Sequence, residues 1–491
     1  MTLLFRGPMV QASTTRSVLK GVSVSLLALV AAGCATPNPT ALNRPADVPE
    51  AFTAPLVDQT APIWPAADWW TNFKADELPA LEATAQKENL DIAVLNARIL
   101  EAEASDGVAF AALLPGVTGS AGAARGDVRT GAHATSDTFT AGLSGSYQFD
   151  LFGLNQDKLR QARENLRAAR YAAQLTGITT FSSVANQYFT VLALRERITL
   201  ARQQIDAANR VMAVTQAKVT NGVASNLDLA QQQALVAAQQ ARLPGLIEQE
   251  REGRYALAIL LGRAPEGFDL KGQNLNGIVS PTVRPGLPSE ILVRRPDVAQ
   301  AEAQLFAAHA NVDAARAAFF PQISLTTSAG YSAPTTAALF NPASFAWSVG
   351  ASLLQTIFDG GKINAQADLA IATQTELVAT YRKTVFSAFS DVETAMGQVS
   401  STTDQLVAVN EQVRASTEAE RIAELQYREG TIDITALLQT ETTLFTAQDT
   451  LVQNRLSRLQ ANVSLYRALG GGWTQTASDA AYQYQLDWSP L

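Results

Sequence analysis

The chain has 491 residues, with one Cys, two His and a formal net charge of -8. Charged residues make up 17% of the chain, against roughly 25% in average soluble domains. The hydrophobic content of 47% argues against a disordered chain, and the net charge argues against the basic surface of a nucleic-acid-binding protein. A single Cys excludes an internal disulfide and a Cys-based zinc or iron–sulfur site. The composition also argues against a polytopic helical membrane protein, which needs apolar runs of about 20 residues.

The first residues resemble a bacterial lipoprotein signal. A basic start leads into an apolar run at 22–32, which is too short to span a bilayer and is typical of a cleaved leader. The sequence AAGC ends this run at Cys34 and resembles a lipobox. It predicts that residues 1–33 are removed and that Cys34 carries a lipid such as palmitate. The alternative is an ordinary cleavage site beside an incidental Cys. Ala35, in place of Asp, resembles the signal that sorts such lipoproteins to the outer membrane.

After the leader, the sequence divides into a tether, two copies of one unit and a tail. Residues 34–65 are rich in Pro and Ala, which predicts an extended, lipidated tether. Residues 66–280 and 281–472 share one order of elements: a helix, two strands, a very long helix, a turn and another helix. Residues 473–491 form the predicted C-terminal tail.

Each unit contains one segment predicted to be an unusually long helix. Residues 155–221 and 362–429 contain no Pro and one Gly each. As helices they would be about 100 Å long, which is more than a compact domain holds. Apolar residues recur every seven positions, as in Val184, Val191 and Ile198, and this spacing predicts coiled-coil packing. Two shorter helices in each unit together match the long one, so we expect them to stack end to end beside it. Their predicted bounds are 86–113 with 226–261, and 296–320 with 432–469.

Four short segments alternate apolar and polar residues, at 117–123, 139–151, 323–331 and 345–353. This alternation is typical of barrel strands with lipid on one face and water on the other, although a half-buried soluble hairpin alternates in the same way. Four strands cannot close a barrel with a lumen, and open strand edges cannot lie in lipid. Three copies of the chain would supply twelve strands, so we expect a barrel shared between chains.

Several motifs resemble those of the TolC-like outer-membrane efflux factors. They are GLPSEILVRRPD at 286–297, FPQI at 320–323, FDGG at 358–361 and LGGGW at 469–473. The last motif and the lipobox resemble the NodT-type lipoproteins of RND efflux systems. The resemblance implies a mixed fold of helices and a membrane β-barrel. The assembly would be a homotrimer, with a twelve-stranded barrel in the outer membrane and a twelve-helix tunnel through the periplasm.

The same resemblance implies the exit duct of a tripartite efflux pump, which passes small molecules and drugs and opens at its periplasmic tip. Its partners would be a periplasmic adaptor protein and an inner-membrane RND transporter. Neither an enzyme activity nor a cofactor is implied, and the sequence holds no catalytic or metal-binding motif. A channel for protein secretion and a coiled-coil spacer lipoprotein without a pore stay as alternatives. The sequence does not indicate the cargo.

The resemblance places the periplasmic tip at the two turns between helices. Gly222 and Gly430 are expected to supply the positive φ that each turn needs. Asp228, Tyr427 and Asp433 are expected to close the tip or contact the adaptor. A hydrogen bond from the Tyr427 hydroxyl to the Asp228 carboxylate would link neighbouring coils.

One departure from the family pattern concerns the pore. The acidic ring that narrows the pore of many relatives falls here on Ala436 and Gln439, which are neutral. The nearest acids, Asp433 and Glu441, are shifted from those positions. We therefore expect no strong cation-binding ring at the usual place.

Overall fold

The computed structural model of the chain describes residues 48–49, 51–54, 64–130 and 132–473, with the backbone alone at 127–130 and 132–135. All of them belong to one compact unit. The predicted leader, Cys34, most of the predicted tether and nearly all of the predicted tail lie outside the described residues.

Two series of elements follow each other along the chain, after a short 3-10 helix at Trp69–Phe73. The first series comprises α1 (Leu78–Glu88), α2 (Leu90–Ala111), β1 (Gly116–Thr130), β2 (Ala132–Phe149), α3 (Leu154–Thr220) and α4 (Asn226–Leu260). The second comprises α5 (Pro288–Ile291), α6 (Pro296–Ala317), β3 (Gln322–Ala333), β4 (Phe345–Leu354), α7 (Lys362–Glu429) and α8 (Ile434–Ala468). The two long helices and the four strands are confirmed. The strand pair β1–β2 is longer than predicted.

The first predicted short helix, 86–113, is divided at Asn89 into α1 and α2. Asn89 adopts an extended backbone, and its side-chain oxygen accepts a hydrogen bond from the Ile92 amide at 3.0 Å. It is therefore the N-cap of α2, a position at which Asn is strongly preferred. The helix α1 ahead of this cap is not predicted from the sequence.

The shorter helices of the first series meet end to end, as expected. The side-chain amide of Asn89 donates to the Leu260 carbonyl at 2.7 Å, so the start of α2 meets the end of α4. Gly262 lies just beyond α4 with a φ of +69°, and a Cβ at this position would overlap the carbonyl oxygen of Glu88. Only glycine fits both the backbone angle and this close approach.

The second series repeats this joint with different residues. The guanidinium of Arg295, in the RRPD motif, donates to the Ala468 carbonyl at 3.1 Å and to the Asp297 carboxylate at 2.7 Å. Gly470, in the GGGW motif, has a φ of +88°, and a Cβ there would overlap the carbonyl oxygen of Arg294. Two of the family-like motifs therefore form the joint between the end of α8 and the start of α6.

The four strands form one antiparallel sheet in the order β1-β2-β3-β4. The register aligns Thr118 with Ser144, Ser144 with Ser328, and Ser328 with Ser348. Within the described part of the chain, β1 and β4 each pair on one side only. The sheet therefore ends in two open edges.

The main hydrophobic core lies around the 3-10 helix, the middle of α3 and the end of α8. The rings of Trp69 and Tyr466 stack with centroids 5.2 Å apart, and Phe73 packs on Phe189 at the same distance. Phe52, in the N-terminal segment, packs against this core. In contrast, α2 buries none of its residues within the chain. Among the described residues, no helix combines the length and apolar character needed to cross a membrane.

Candidate functional site

The predicted tip residues lie at the two turns that join the long helices to α4 and α8. Gly222 follows α3 with a φ of +70°, and Gly430 is the left-handed C-cap of α7 with a φ of +79°. Each following helix begins with a side-chain cap: Ser225 caps α4, and Asp433 caps α8 by accepting from the Ala436 amide at 2.9 Å. Both turns therefore end one helix and start the next within a few residues.

The carboxylate of Asp228 takes part in the cap at the start of α4. It accepts from the Ser225 amide at 2.8 Å, while the Ser225 hydroxyl accepts from the Asp228 amide at 3.2 Å. This reciprocal pair is a capping box. The hydrogen bond to Tyr427 that the resemblance implies is not among the hydrogen bonds of the described residues.

Tyr427 is buried and links α7 to α3. Its hydroxyl lies 3.0 Å from the Thr215 hydroxyl. The Lys218 ammonium lies 4.1 Å from the centre of the Tyr427 ring and donates a hydrogen bond to the Tyr427 carbonyl. A cation over an aromatic face is attracted by the ring quadrupole. We call Thr215, Lys218 and Tyr427 the tip latch. Thr215 is not predicted from the sequence, because its role depends on a contact 212 positions away.

A small apolar cluster surrounds this latch. Its buried members come from α3, α7 and α8: Val211, Ala423, Tyr427, Ile434 and Leu437. Val223 and Leu227, in contrast, lie at the first turn with exposed side chains, Val223 at 72%. The neutral Ala436 and Gln439 are exposed on α8, whereas Glu441 is buried. The tip thus has an apolar interior with one buried acid, and apolar residues at its end.

The sheet has two chemically different faces. One face carries only Gly, Ala, Ser, Thr, Gln and one Leu at the positions with described side chains, and two pairs of hydroxyls face each other on it. These pairs are Ser324 with Ser352 and Ser328 with Ser348, each at 2.8 Å. The opposite face carries large apolar side chains that remain exposed, including Trp347 at 71% and Val349 at 63%. Such a sheet suits water on one face and lipid on the other.

Comparison with known proteins agrees with this geometry. The family model described as "Outer membrane efflux protein" matches residues 81–263 and 287–471. The pyoverdine export outer membrane protein OpmQ of Pseudomonas aeruginosa is 39% identical over 416 residues, which cover 82% of this chain and 87% of that protein. The probable efflux pump outer membrane protein TtgC of Pseudomonas putida is 32% identical over 440 residues, covering 87% of this chain and 90% of that protein.

Solved structures of outer-membrane channels share the fold of this chain. The outer-membrane channel OprN superposes with a TM-score of 0.80 at 28% identity, covering 87% of this chain and 98% of that one. Crystal structures of CusC give a TM-score of 0.79, also at 28% identity and with the same coverage of both chains. The match of the family model over most of the chain, the identity to OpmQ and the shared fold agree with one another. The chain belongs to the outer membrane efflux protein family.

Proposed function

We propose that three copies of the chain form the outer-membrane exit duct of a tripartite efflux pump. The observation that carries this proposal is the sheet, which has two open edges and two different faces. One face is exposed and apolar apart from the Arg125–Asp137 ion pair toward the β1–β2 turn, and the other is polar and uncharged. Unpaired edges are not tolerated in lipid, so the sheet must close. Three sheets joined edge to edge give a barrel of twelve strands, an even number within the usual range. The hydroxyl-lined face then lines the lumen.

The helices extend this duct through the periplasm. Helices α3 and α7 have 67 and 68 residues, so each is about 100 Å long. Several large apolar side chains remain exposed on helices in the single chain, among them Leu100 and Val108 on α2 and Val407 on α7. Exposed apolar surface of this extent is typical of an interface. In the proposed trimer these residues pack between neighbouring copies and complete a twelve-helix tunnel.

The tip is the proposed entrance and the proposed contact for the adaptor protein. Gly222 and Gly430 set the turns, Asp228 and Asp433 cap the helices behind them, and Tyr427 holds α7 against α3. The exposed Val223 and Leu227 offer apolar side chains to a partner helix. We propose that the adaptor binds here and that opening separates the helices held by the tip latch. An inner-membrane RND transporter would supply the cargo and the energy.

The proposed organisation of the chain follows the sequence. Residues 1–33 are a cleaved leader, 34–65 a tether with a lipid on Cys34, and 66–280 and 281–472 the two repeats, followed by the tail 473–491. In cells given radioactive palmitate, Cys34→Ser is expected to abolish labelling. Labelling equal to that of the wild type would contradict the anchor. Membrane association is a poorer readout, because the barrel holds the protein in the membrane without the lipid.

Small molecules are the proposed cargo. The relatives are named for pyoverdine export, efflux of toluene and efflux of cations, which differ widely in charge. A lumen face of hydroxyls and glycines without charges selects weakly between such molecules. A channel for protein secretion remains the second candidate, but the relatives named here favour small cargo.

Deletion of the gene, with complementation, tests the efflux role. We expect the deletion strain to become several-fold more sensitive to drugs or dyes exported by the pump, and the wild-type gene to restore resistance. Unchanged sensitivity after deletion, measured against the substrates of every RND pump in the strain, would contradict the role in efflux.

A further inference from the structure

Glu441 is a carboxylic acid buried inside the tip. It lies on α8 about two helical turns from the second tip turn, and its residue surface is 1% exposed. Neither carboxyl oxygen has a hydrogen-bond partner of good geometry among the described residues. A buried carboxylate without donors is strongly unfavourable, because it loses its hydration and gains nothing in exchange. The surroundings therefore favour the protonated form.

The neighbour of this carboxyl is Gln232 of α4, which is fully buried. Its side-chain nitrogen donates to the Ala208 carbonyl of α3 at 2.9 Å. Its side-chain oxygen has no hydrogen-bond partner among the described residues. The contact with Gln232 lowers the pKa of Glu441, but burial outweighs it.

The charged groups around Glu441 also oppose its ionisation. Burial has the largest effect, followed by the carboxylate of Glu420 on α7, and Glu424 adds to it. The side chain of Gln232 acts against them and lowers the pKa of Glu441. Together they raise the pKa of Glu441 to about 7. Cations act on these two neighbours: Arg210 of α3 on Glu420, whose own pKa is raised by burial and by Glu424, and Arg428 of α7 on Glu424, with which it forms an ion pair.

We propose that Glu441 is a neutral acid in the closed tip, where it lies against Gln232 of α4, and that loss of its proton favours opening. The proposal rests on the proposed function of the tip as an entrance. In the closed tip, an ionised Glu441 would be shut off from water beside the carboxylates of Glu420 and Glu424, which are only partly buried. Separation of α8 from α4 would hydrate the carboxylate and relieve that repulsion.

The sign of the pH dependence follows from linkage. The closed tip holds the Glu441 proton up to about pH 7, whereas a hydrated Glu has a pKa of about 4.3. Between these values the closed state binds more protons than the open state, so closure weakens as the pH rises. Each protomer changes the equilibrium constant between the open and the closed tip by a factor of up to about ten per pH unit across this interval. Above pH 7 this constant no longer changes with pH.

The test measures the conductance of the purified trimer in planar bilayers between pH 5 and pH 8. We expect the open fraction of the wild type to rise tenfold or more over this range. Glu441→Gln, which has nearly the same shape but does not ionise, is expected to stay closed and lose this pH dependence. Glu418→Gln is the control, because it removes the same charge from an exposed position on α7. The control is expected to keep the pH dependence.

Infrared titration of the same trimer in nanodiscs gives a readout that does not require conduction. We expect the wild type to lose a protonated-carboxyl C=O band near pH 7, and Glu441→Gln to lack this band. Absence of the band from the wild type would overturn the proposal. So would closure by a divalent cation at constant pH that disappears in Glu441→Gln, since the site would then bind a cation.

The two measurements also separate this proposal from the proposed function. Conducting trimers whose open fraction is independent of pH would overturn the role of Glu441 in closure and leave the duct intact. A titrating Glu441 band in trimers that do not conduct with any tip variant would contradict the duct, while Glu441 would still be a neutral acid.

Discussion

The side-chain amide of Asn89 donates a hydrogen bond to the carbonyl of Leu260 at 2.7 Å, across 171 positions of sequence. Because the same side chain accepts from the Ile92 amide, one residue both starts α2 and satisfies a carbonyl at the end of α4. In the second repeat the buried Arg295 serves the Ala468 carbonyl in the same way. Two short helices thereby act as one column beside each long helix.

Asn89→Ala is expected to destabilise the chain by about 1–3 kcal/mol, because it removes a helix cap and leaves a buried carbonyl without a donor. The midpoint of chemical denaturation, followed by circular dichroism, measures this loss. Asn89→Asp keeps the cap but places a buried carboxylate oxygen against the Leu260 carbonyl, so a loss at least as large is expected. Asn410→Ala is the control, because Asn410 is exposed and its amide bonds only within α7. Equal effects at Asn89 and Asn410 would contradict the end-to-end joint.

The N-terminal segment is predicted to depend on Glu393 of α7. Its carboxylate accepts from the Thr53 amide at 2.6 Å, the Thr53 hydroxyl at 3.1 Å and the Ala54 amide at 2.8 Å. Hydrogen bonds to a charged group contribute about 1.5–3 kcal/mol each. We therefore expect Glu393→Ala to speed hydrogen exchange of the Thr53 and Ala54 amides by tenfold or more. Glu411→Ala, an exposed change on the same helix, should leave both rates unaltered, and unaltered rates in Glu393→Ala would refute the contact.

Adjacent residues of β4 provide a matched test of the two sheet faces. Val349 lies on the apolar face and Ser348 on the hydroxyl face, next to Ser328. A Lys on a lipid-facing barrel position costs about 2–4 kcal/mol near the bilayer midplane. We expect Val349→Lys to reduce the stability of the lipid-inserted trimer by this amount in urea titrations. Ser348→Lys should leave stability nearly unchanged and shift the channel toward anions. A loss of stability in Ser348→Lys, with a shift in selectivity in Val349→Lys, would mean that the hydroxyl face contacts lipid and the apolar face lines the lumen.

The tip latch predicts a conducting variant. Tyr427→Phe keeps the ring under Lys218 but removes the hydroxyl that faces Thr215. A hydrogen bond of this kind contributes about 1 kcal/mol, so we expect the open fraction to rise about fivefold per protomer. Tyr255→Phe on α4 is the control, because Tyr255 is exposed. A variant with the wild-type open fraction would show that this hydroxyl does not hold the tip.

Much of the fold could be predicted because it depends on local periodicity. The seven-residue spacing of Val184, Val191 and Ile198 predicts a helix that packs along its whole length, and all three are buried. Alternation along β4 likewise predicts a strand with two faces. Gly222 and Gly430 mark the turns, because a positive φ favours glycine whatever the tertiary structure.

The remaining features depend on contacts between distant parts of the sequence. In the sequence, Asn89 looks like an ordinary residue of a helix. Its bond to Leu260 depends on the end of α4, which only the folded chain brings beside it. Thr215 becomes a partner of Tyr427 only when α3 and α7 pack. Glu441 resembles any surface acid of an amphipathic helix, and its burial follows from the packing of α4 and α7 against α8. No local pattern distinguishes these residues from their neighbours.

The conductance of the purified trimer in planar bilayers tests the central claim most directly. A hollow duct closed at its tip predicts small, rare openings of the wild type and larger, frequent ones after Tyr427→Phe. The trimer must first be shown intact by its mass in detergent. An intact trimer that carries no current, in the wild type or in the tip variant at any pH, would contradict the duct and favour a spacer without a pore.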